Sequence, residues 1–308
     1  MLKGPVNDGK GECITLVSVI SLLSLTIVVG HALMLIILWK DPFKRFRTPP
    51  TFLVCGMVLA NFISGLSAGP LFCYYVISSC SALRPPYLEL LWNAASFMLY
   101  WTTSVSYLSM LGLSLCQYIG VKIPHKHSGL WSSAKKTTAS FLGIITFISF
   151  LIPGMLPLGV SPIIVEKLQL HVTFQLSTFI LCALYAALGV EYLQQVKRAR
   201  ESSNNAVKGM TCVRVRDRNF TRANLMLLAC VTLLSLPIMI TWHLSMYGGK
   251  LFSSKTGQTA SGAVTITLFM MKITLDPFIY CMRLTIYRKA FKRIFKWRNR
   301  QVAHAGSS

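Results

Sequence analysis

FMMKITLDPFIYCM, residues 269–282, sets a lysine and an aspartate four positions apart inside an otherwise apolar stretch. Four residues is one helical turn, so Lys272 and Asp276 share a helix face and are close enough to touch. Charge within a membrane is costly and marks a functional position. The rest of the chain decides whether a membrane is involved. Its 308 residues are 53% hydrophobic and 13% charged, with a mean hydropathy of +0.55. That balance excludes an ordinary soluble domain.

Runs without Lys, Arg, Asp or Glu cover residues 14–39, 48–83, 90–121, 137–165, 168–190, 223–249 and 256–271. The first six reach the roughly 20 residues that cross a hydrocarbon core, and the seventh does so once Lys272 is admitted. The expectation is an all-α membrane protein: a bundle of seven transmembrane helices followed by a short amphipathic helix. The first run is too long for the apolar region of a signal peptide. The expected divisions are an extracellular N-terminus over 1–13, a transmembrane domain over 14–284, and an amphipathic helix with a short tail over 285–308.

The net charge of +22 is distributed by topology. Of the 31 basic residues, 24 fall after the first, third, fifth and seventh runs, on one side of such a bundle. The positive-inside rule makes that side cytoplasmic and the N-terminus external, in the plasma membrane. No nucleic-acid partner is needed to explain the charge. In TIYRKAFKRIFKWRNR, residues 285–300, Phe291, Ile294 and Phe295 share one helical face amid basic residues, which suits a helix lying on an anionic leaflet. The nine cysteines lack zinc-like spacing. Cys13 and Cys80 fall in outer segments and are the candidate disulfide pair. Asn219-Phe220-Thr221 is the one glycosylation sequon, and it falls on the inner side. No catalytic constellation is present, and no enzyme activity, cofactor or metal is expected.

Several short motifs stand in a telling order. FRTPPTFLVCGMVLANF precedes LCQYIGV, then LLSLP, then DPFIY. Together they resemble the rhodopsin-like (class A) G-protein-coupled receptors. LCQYIGV stands where that family has Asp-Arg-Tyr, LLSLP where it has Cys-Trp-X-Pro, and DPFIY where it has Asn-Pro-X-X-Tyr. The resemblance places the helix-one Asn on His31 and the helix-two Asp on Asn61. It places Asp-Arg-Tyr on Cys116-Gln117-Tyr118, the switch Trp on Ser235 before Pro237, and the helix-five proline on Leu184. The helix-three cysteine falls on Trp92, and the second outer loop, around SPIIVEKLQL, has no cysteine. The lost proline, the Asp-Pro pair and that short loop also resemble melanocortin-like receptors.

What the resemblance implies is a receptor for a small apolar or weakly polar ligand, embedded in a lipid bilayer and signalling to a heterotrimeric G protein. Its ligand pocket falls on Tyr100, Thr103, Met239, Trp242, His243 and Ile266, against the alternative that the aromatics face lipid. Leu99 replaces the aspartate that pairs with amines, and Met270 replaces the retinal lysine, so neither class of ligand is expected. An internal polar network falls on His31, Asn61, Ser106, Lys272, Asp276 and Tyr280. There Lys272 supplies the charge of the family's sodium ion, held by Asp276 and bonded to Asn61 or Ser106. Coupling to the G protein falls on Gln117, Tyr118, Tyr192 and Asp217. A neutral Gln117 cannot form the charged latch with Asp217. A non-coupling binding protein, such as a decoy or partner subunit, is therefore the second functional class.

Overall fold

A computed structural model describes residues 10–40, 49–80, 86–122, 134–202, 232–244, 246–247, 255–283 and 289. Among them, every regular element is helical. In chain order these are α1 (Lys10–Lys40), α2 (Pro49–Cys80), α3 (Leu88–Lys122), α4 (Ala134–Leu151), α5 (Pro162–Leu168), α6 (Ser177–Ser202), α7 (Thr232–Leu244) and α8 (Lys255–Arg283). A short 3-10 turn, Pro153–Met155, follows α4, and the π-helical segment Gln169–Leu176 joins α5 to α6 without a break.

Local chemistry accounts for several of the ends. Glu12 in the first turn of α1 and Lys40 in its last turn complement the helix dipole, as Glu89 and Lys122 do in α3. Pro162 opens α5 at a position where no backbone N–H is needed. Gly159, at φ 82°, makes the turn before it. Prolines sit inside three of the helices, Pro70 in α2, Pro237 in α7 and Pro277 in α8.

The exterior is more apolar than that of a soluble protein, and several polar side chains are buried. Ile14, Leu22, Leu25, Phe147 and Phe179 are largely exposed, whereas His31, Asn61, Ser64 and Gln169 are fully buried. Buried hydroxyls are satisfied mainly within their own helix: Thr103 donates to the Leu99 carbonyl at 2.6 Å and Ser104 to that of Tyr100 at 2.7 Å. An apolar exterior with buried polar groups among the core residues suits a protein solvated by lipid.

Seven spans are not found. Among the described residues, three helices are long and apolar enough to cross a membrane: Gly11–Lys40, Thr51–Ser79 and Pro162–Glu191. Ser140–Leu151 and Thr232–Leu244 are apolar but shorter. A run free of charge is not thereby apolar: α3 carries Thr102, Thr103, Ser104, Ser106, Ser109, Ser114 and Gln117, and α8 carries five threonines besides Lys272 and Asp276. The expected outer loop around SPIIVEKLQL is corrected too, because Pro162–Leu168 is already helix and belongs to the third span. Residues 284–308, apart from Lys289, lie outside the described residues, and so does the expected amphipathic helix.

α3 sits at the centre, packed on α2, α4, α6 and the π-helical segment, while α1 packs on α2 and α8. Three apolar clusters fill the interior. One joins Met34, Met57, Leu113 and Ile145; a second is aromatic, around Phe174 and Phe269; a third joins Ile27, Phe72, Leu99 and Met270. α1 and α2 approach closely because Gly65 and Gly69 offer no side chain. A Cβ on Gly65 would lie 2.7 Å from Ile27 Cγ2, and one on Gly69 would collide with Ser24 Oγ. Ser24 Oγ uses that proximity to donate to the Gly65 carbonyl at 2.6 Å. The expected outcome of Gly65→Leu is a loss of about 1–3 kcal/mol from overpacking, read as a lowered melting temperature in detergent. Ser24→Ala should cost less, on the order of 1 kcal/mol, because it removes one hydrogen bond and leaves the helix contact intact.

Candidate functional site

Lys272 and Asp276 face inward from α8, with Nζ 3.3 Å from Oδ2 and side chains 2% and 8% exposed. Asn61 of α2 donates from Nδ2 to the same carboxylate oxygen at 2.9 Å. On its other side the ammonium lies 4.7 Å from the ring centroid of Tyr107 in α3, a cation–π contact inside the bundle. Tyr107 in turn bonds Ser235 of α7 through its hydroxyl at 2.7 Å. One buried charge pair thus ties α2, α3 and α8 together, with α7 attached through Tyr107.

His31 of α1 is adjacent to this group and fully buried, with Asp276 and Lys272 as its charged neighbours. Its Nδ1 is 2.9 Å from the Ile27 carbonyl, which only accepts, so the ring proton sits on Nδ1. The Nε2 of His31 and the Oδ1 of Asn61 are buried without a partner among the described residues. Gly30 admits Pro277 at this level: a Cβ there would lie 3.3 Å from the proline ring. Ser106 is buried on α3; the contacts of the Lys272 ammonium are Asp276 and Tyr107. The side chain of Tyr280 lies outside the described residues.

The residues expected to line a ligand pocket are divided among three environments. Tyr100 and Trp242 stack at 5.7 Å, and Trp242 meets Phe174 and Phe269 edge-on at 5.3 and 5.5 Å. Phe174 also meets the ring of Tyr107 at 4.8 Å, so the aromatic cluster reaches the ion pair. Thr103 is buried and spends its hydroxyl on its own helix. Ile266 packs in the cluster around Ile27 and Phe72. His243 sits beside His171 and Tyr247, and Met239 is half-buried on α7. The rings of Tyr100, Trp242, Phe174 and Phe269 pack directly on one another. A groove of about 220 Å³ lies between Leu16 of α1 and Ala263, Val264, Thr267 and Leu268 of α8.

Sequence reasoning missed the polar group beside that cluster. Tyr100 donates its hydroxyl to Glu166 Oε1 at 3.3 Å. Fully buried Gln169 donates to Ser104 Oγ at 2.7 Å and to the Tyr100 carbonyl at 3.2 Å, and accepts from Thr173 at 3.3 Å. The π-helical turns make this possible by directing Gln169, Leu170, Thr173 and Phe174 together toward α3. Such turns are rare and concentrate at functional sites. A glutamine in an apolar run was the available signal; its π geometry was not.

On the expected coupling side, Tyr118 accepts from Lys122 Nζ at 3.0 Å, and Gln117 Oε1 has no partner among the described residues. Asp217 and the side chain of Tyr192 lie outside the described residues. Cys13 is disulfide-bonded. Ser21 Oγ lies 3.3 Å from Cys73 Sγ, so the antiparallel register of α1 and α2 brings position 13 level with the end of α2 at Cys80, whose side chain lies outside the described residues.

Removing one partner of the buried pair strands the other. Lys272→Met should cost about 3–5 kcal/mol and lower the yield of folded protein. Lys272→Met combined with Asp276→Asn should recover much of that loss, measured as thermal stability and surface expression. A double variant no better than the single one would show that the pair is not what holds these helices.

Compared with known protein families and with curated proteins, the chain matches none.

Proposed function

We propose that this protein is a membrane receptor, divergent from the rhodopsin-like class it resembles, that binds a small apolar or weakly polar ligand and signals through a heterotrimeric G protein. The observation that carries this reading is a continuous chain of contacts. It runs from Glu166 through Tyr100, Trp242, Phe174 and Tyr107 to Lys272, Asp276 and Asn61. A ligand that parts Tyr100 from Trp242 moves rings whose far end, Tyr107, lies against the buried ammonium of Lys272. Packed interiors respond to such displacement by switching between discrete arrangements. Ligand binding and the helix arrangement are then linked through one free energy. The three apolar helices are compatible with membrane insertion. The plasma membrane, with the N-terminus outside and the basic segments facing the cytoplasm, is the setting this reading requires.

Gln117 in place of the family's arginine supports a second reading, a binding protein that takes up ligand without activating a G protein. The two readings separate in one assay. Cells expressing the full chain are screened against apolar and weakly polar compounds, with G-protein activation and direct ligand binding both recorded. Activation above untransfected cells supports the receptor, whereas saturable binding with no activation supports the decoy. Tyr107→Phe, which removes the bond to Ser235 and keeps the ring over Lys272, should shift the half-maximal ligand concentration without lowering surface expression. Ligand affinity should not change when sodium is exchanged for a bulky organic cation, because the ammonium already occupies the place of a cation beside Asp276. A C-terminal epitope should be detected only after cells are permeabilised.

A further inference from the structure

We propose that His171 and His243, with the hydroxyl of Tyr247, bind a divalent transition-metal ion of zinc's ligand preference, bridging the π-helical segment to α7. His171 and Tyr247 are 76 residues apart in sequence, and nothing in their spacing marks them as a group. In space the three rings form a triangle. Centroids of His171 and His243 lie 5.3 Å apart, those of His171 and Tyr247 6.0 Å, and those of His243 and Tyr247 5.7 Å.

The hydrogen bonds of His171 prepare it as a ligand. Its Nδ1 is 2.8 Å from Gln175 Oε1, an acceptor, so Nδ1 carries the proton and Nε2 keeps the lone pair. A metal-binding histidine is fixed in this way, donating its other N–H to an oxygen that sets tautomer and ring orientation. Nε2 is the nitrogen that faces Tyr247, 2.9 Å from the hydroxyl, and the His243 ring centroid lies 5.3 and 5.7 Å from those of His171 and Tyr247. His171 is exposed and His243 half-buried, with the ammonium of Lys167 against the neighbouring Tyr247 ring. Among the described residues no three His, Cys, Asp or Glu converge anywhere. The site therefore offers two imidazoles and a phenol oxygen, and water completes a tetrahedral shell.

Lys167 gives the proposal its sharpest test. Its ammonium lies 5.5 Å from the Tyr247 ring centroid and repels a cation bound below it. A cluster of two histidines and a lysine would instead hold an anion if the imidazoles were protonated, and Lys167 would then help. The two cases predict opposite signs. An occupied metal site would clamp α7 to the π-helical segment one residue from Trp242, and so fix the aromatic cluster. The inference does not depend on the receptor reading.

The experiment titrates the full chain in detergent micelles with zinc chloride against a competing chelator dye, with circular dichroism confirming that each variant is folded. The expected result is one zinc ion bound by the wild type and lost in His171→Ala/His243→Ala. His171→Gln and His243→Gln should each weaken binding by more than about tenfold, and Gln175→Leu, which frees the tautomer, by about tenfold. Lys167→Gln should tighten it. Cobalt in place of zinc should give visible absorption bands that disappear in the histidine variants. Equal zinc stoichiometry in wild type and double variant would overturn the proposal, as would weaker binding by Lys167→Gln. Should the double variant unfold, the Gln175→Leu and Lys167→Gln comparisons decide the matter alone.

Discussion

The ion pair between Lys272 and Asp276 is the constraint around which the helices are arranged. Two opposite charges inside an apolar assembly are tolerable only with close mutual contact and further polar support. The protein supplies both, with Asn61 on the carboxylate and the Tyr107 ring on the ammonium. Each support comes from a different helix, so moving α2 or α3 relative to α8 would expose a charge to hydrocarbon. That penalty adds to the packing that holds the three helices together, since lipid competes equally well for apolar surface.

The remaining polar interior follows the same rule with weaker groups. Hydroxyls of Thr102, Thr103, Ser104 and Ser114 on α3 bond to carbonyls one turn back, which lets a serine- and threonine-rich helix occupy the centre. Where a longer side chain is buried, the backbone gives way instead. Gln169 reaches α3 from a π-helical stretch, which also turns Phe174 onto Tyr107 and Trp242. Aromatic rings then connect this end of the bundle to the ion pair without a gap. His31 Nε2 and Asn61 Oδ1 stay unpaired beside the pair among the described residues, a local polar surplus of the kind that functional interiors tolerate.

Much of the ion-pair site could be read from the chain. Helical spacing put Lys272 on the same face as Asp276, and the cost of charge in hydrocarbon turned that face inward. The resemblance put Asn61 beside the pair, whereas Tyr107 could not be read, because it comes from a helix far away in sequence. The hydrogen bond from Asn61 goes to the carboxylate rather than to the lysine, and the ammonium faces a ring that no spacing rule picks out. The positions assigned to a ligand lie in different surroundings. Tyr100 and Trp242 do meet, whereas Ile266 and His243 belong to separate neighbourhoods. Positions assigned by analogy to another family inherit that family's helix rotations, and these depend on packing.

The sequence by itself determined that the chain is helical, apolar on the outside and unsuited to water, because composition and the length of charge-free runs are local properties. It also determined the lysine–aspartate contact, since four residues on a helix fix a distance. It misjudged the number of spans, because freedom from charge says nothing of the serine, threonine and glutamine content that lowers the apolarity of α3 and α8. Only the tertiary structure decided that Gln169 would be buried through a π-helical turn and that His171, His243 and Tyr247 would converge. The physical reason is the same in each case: these contacts arise where separate helices approach, and helix approach is set by side-chain packing over the whole bundle.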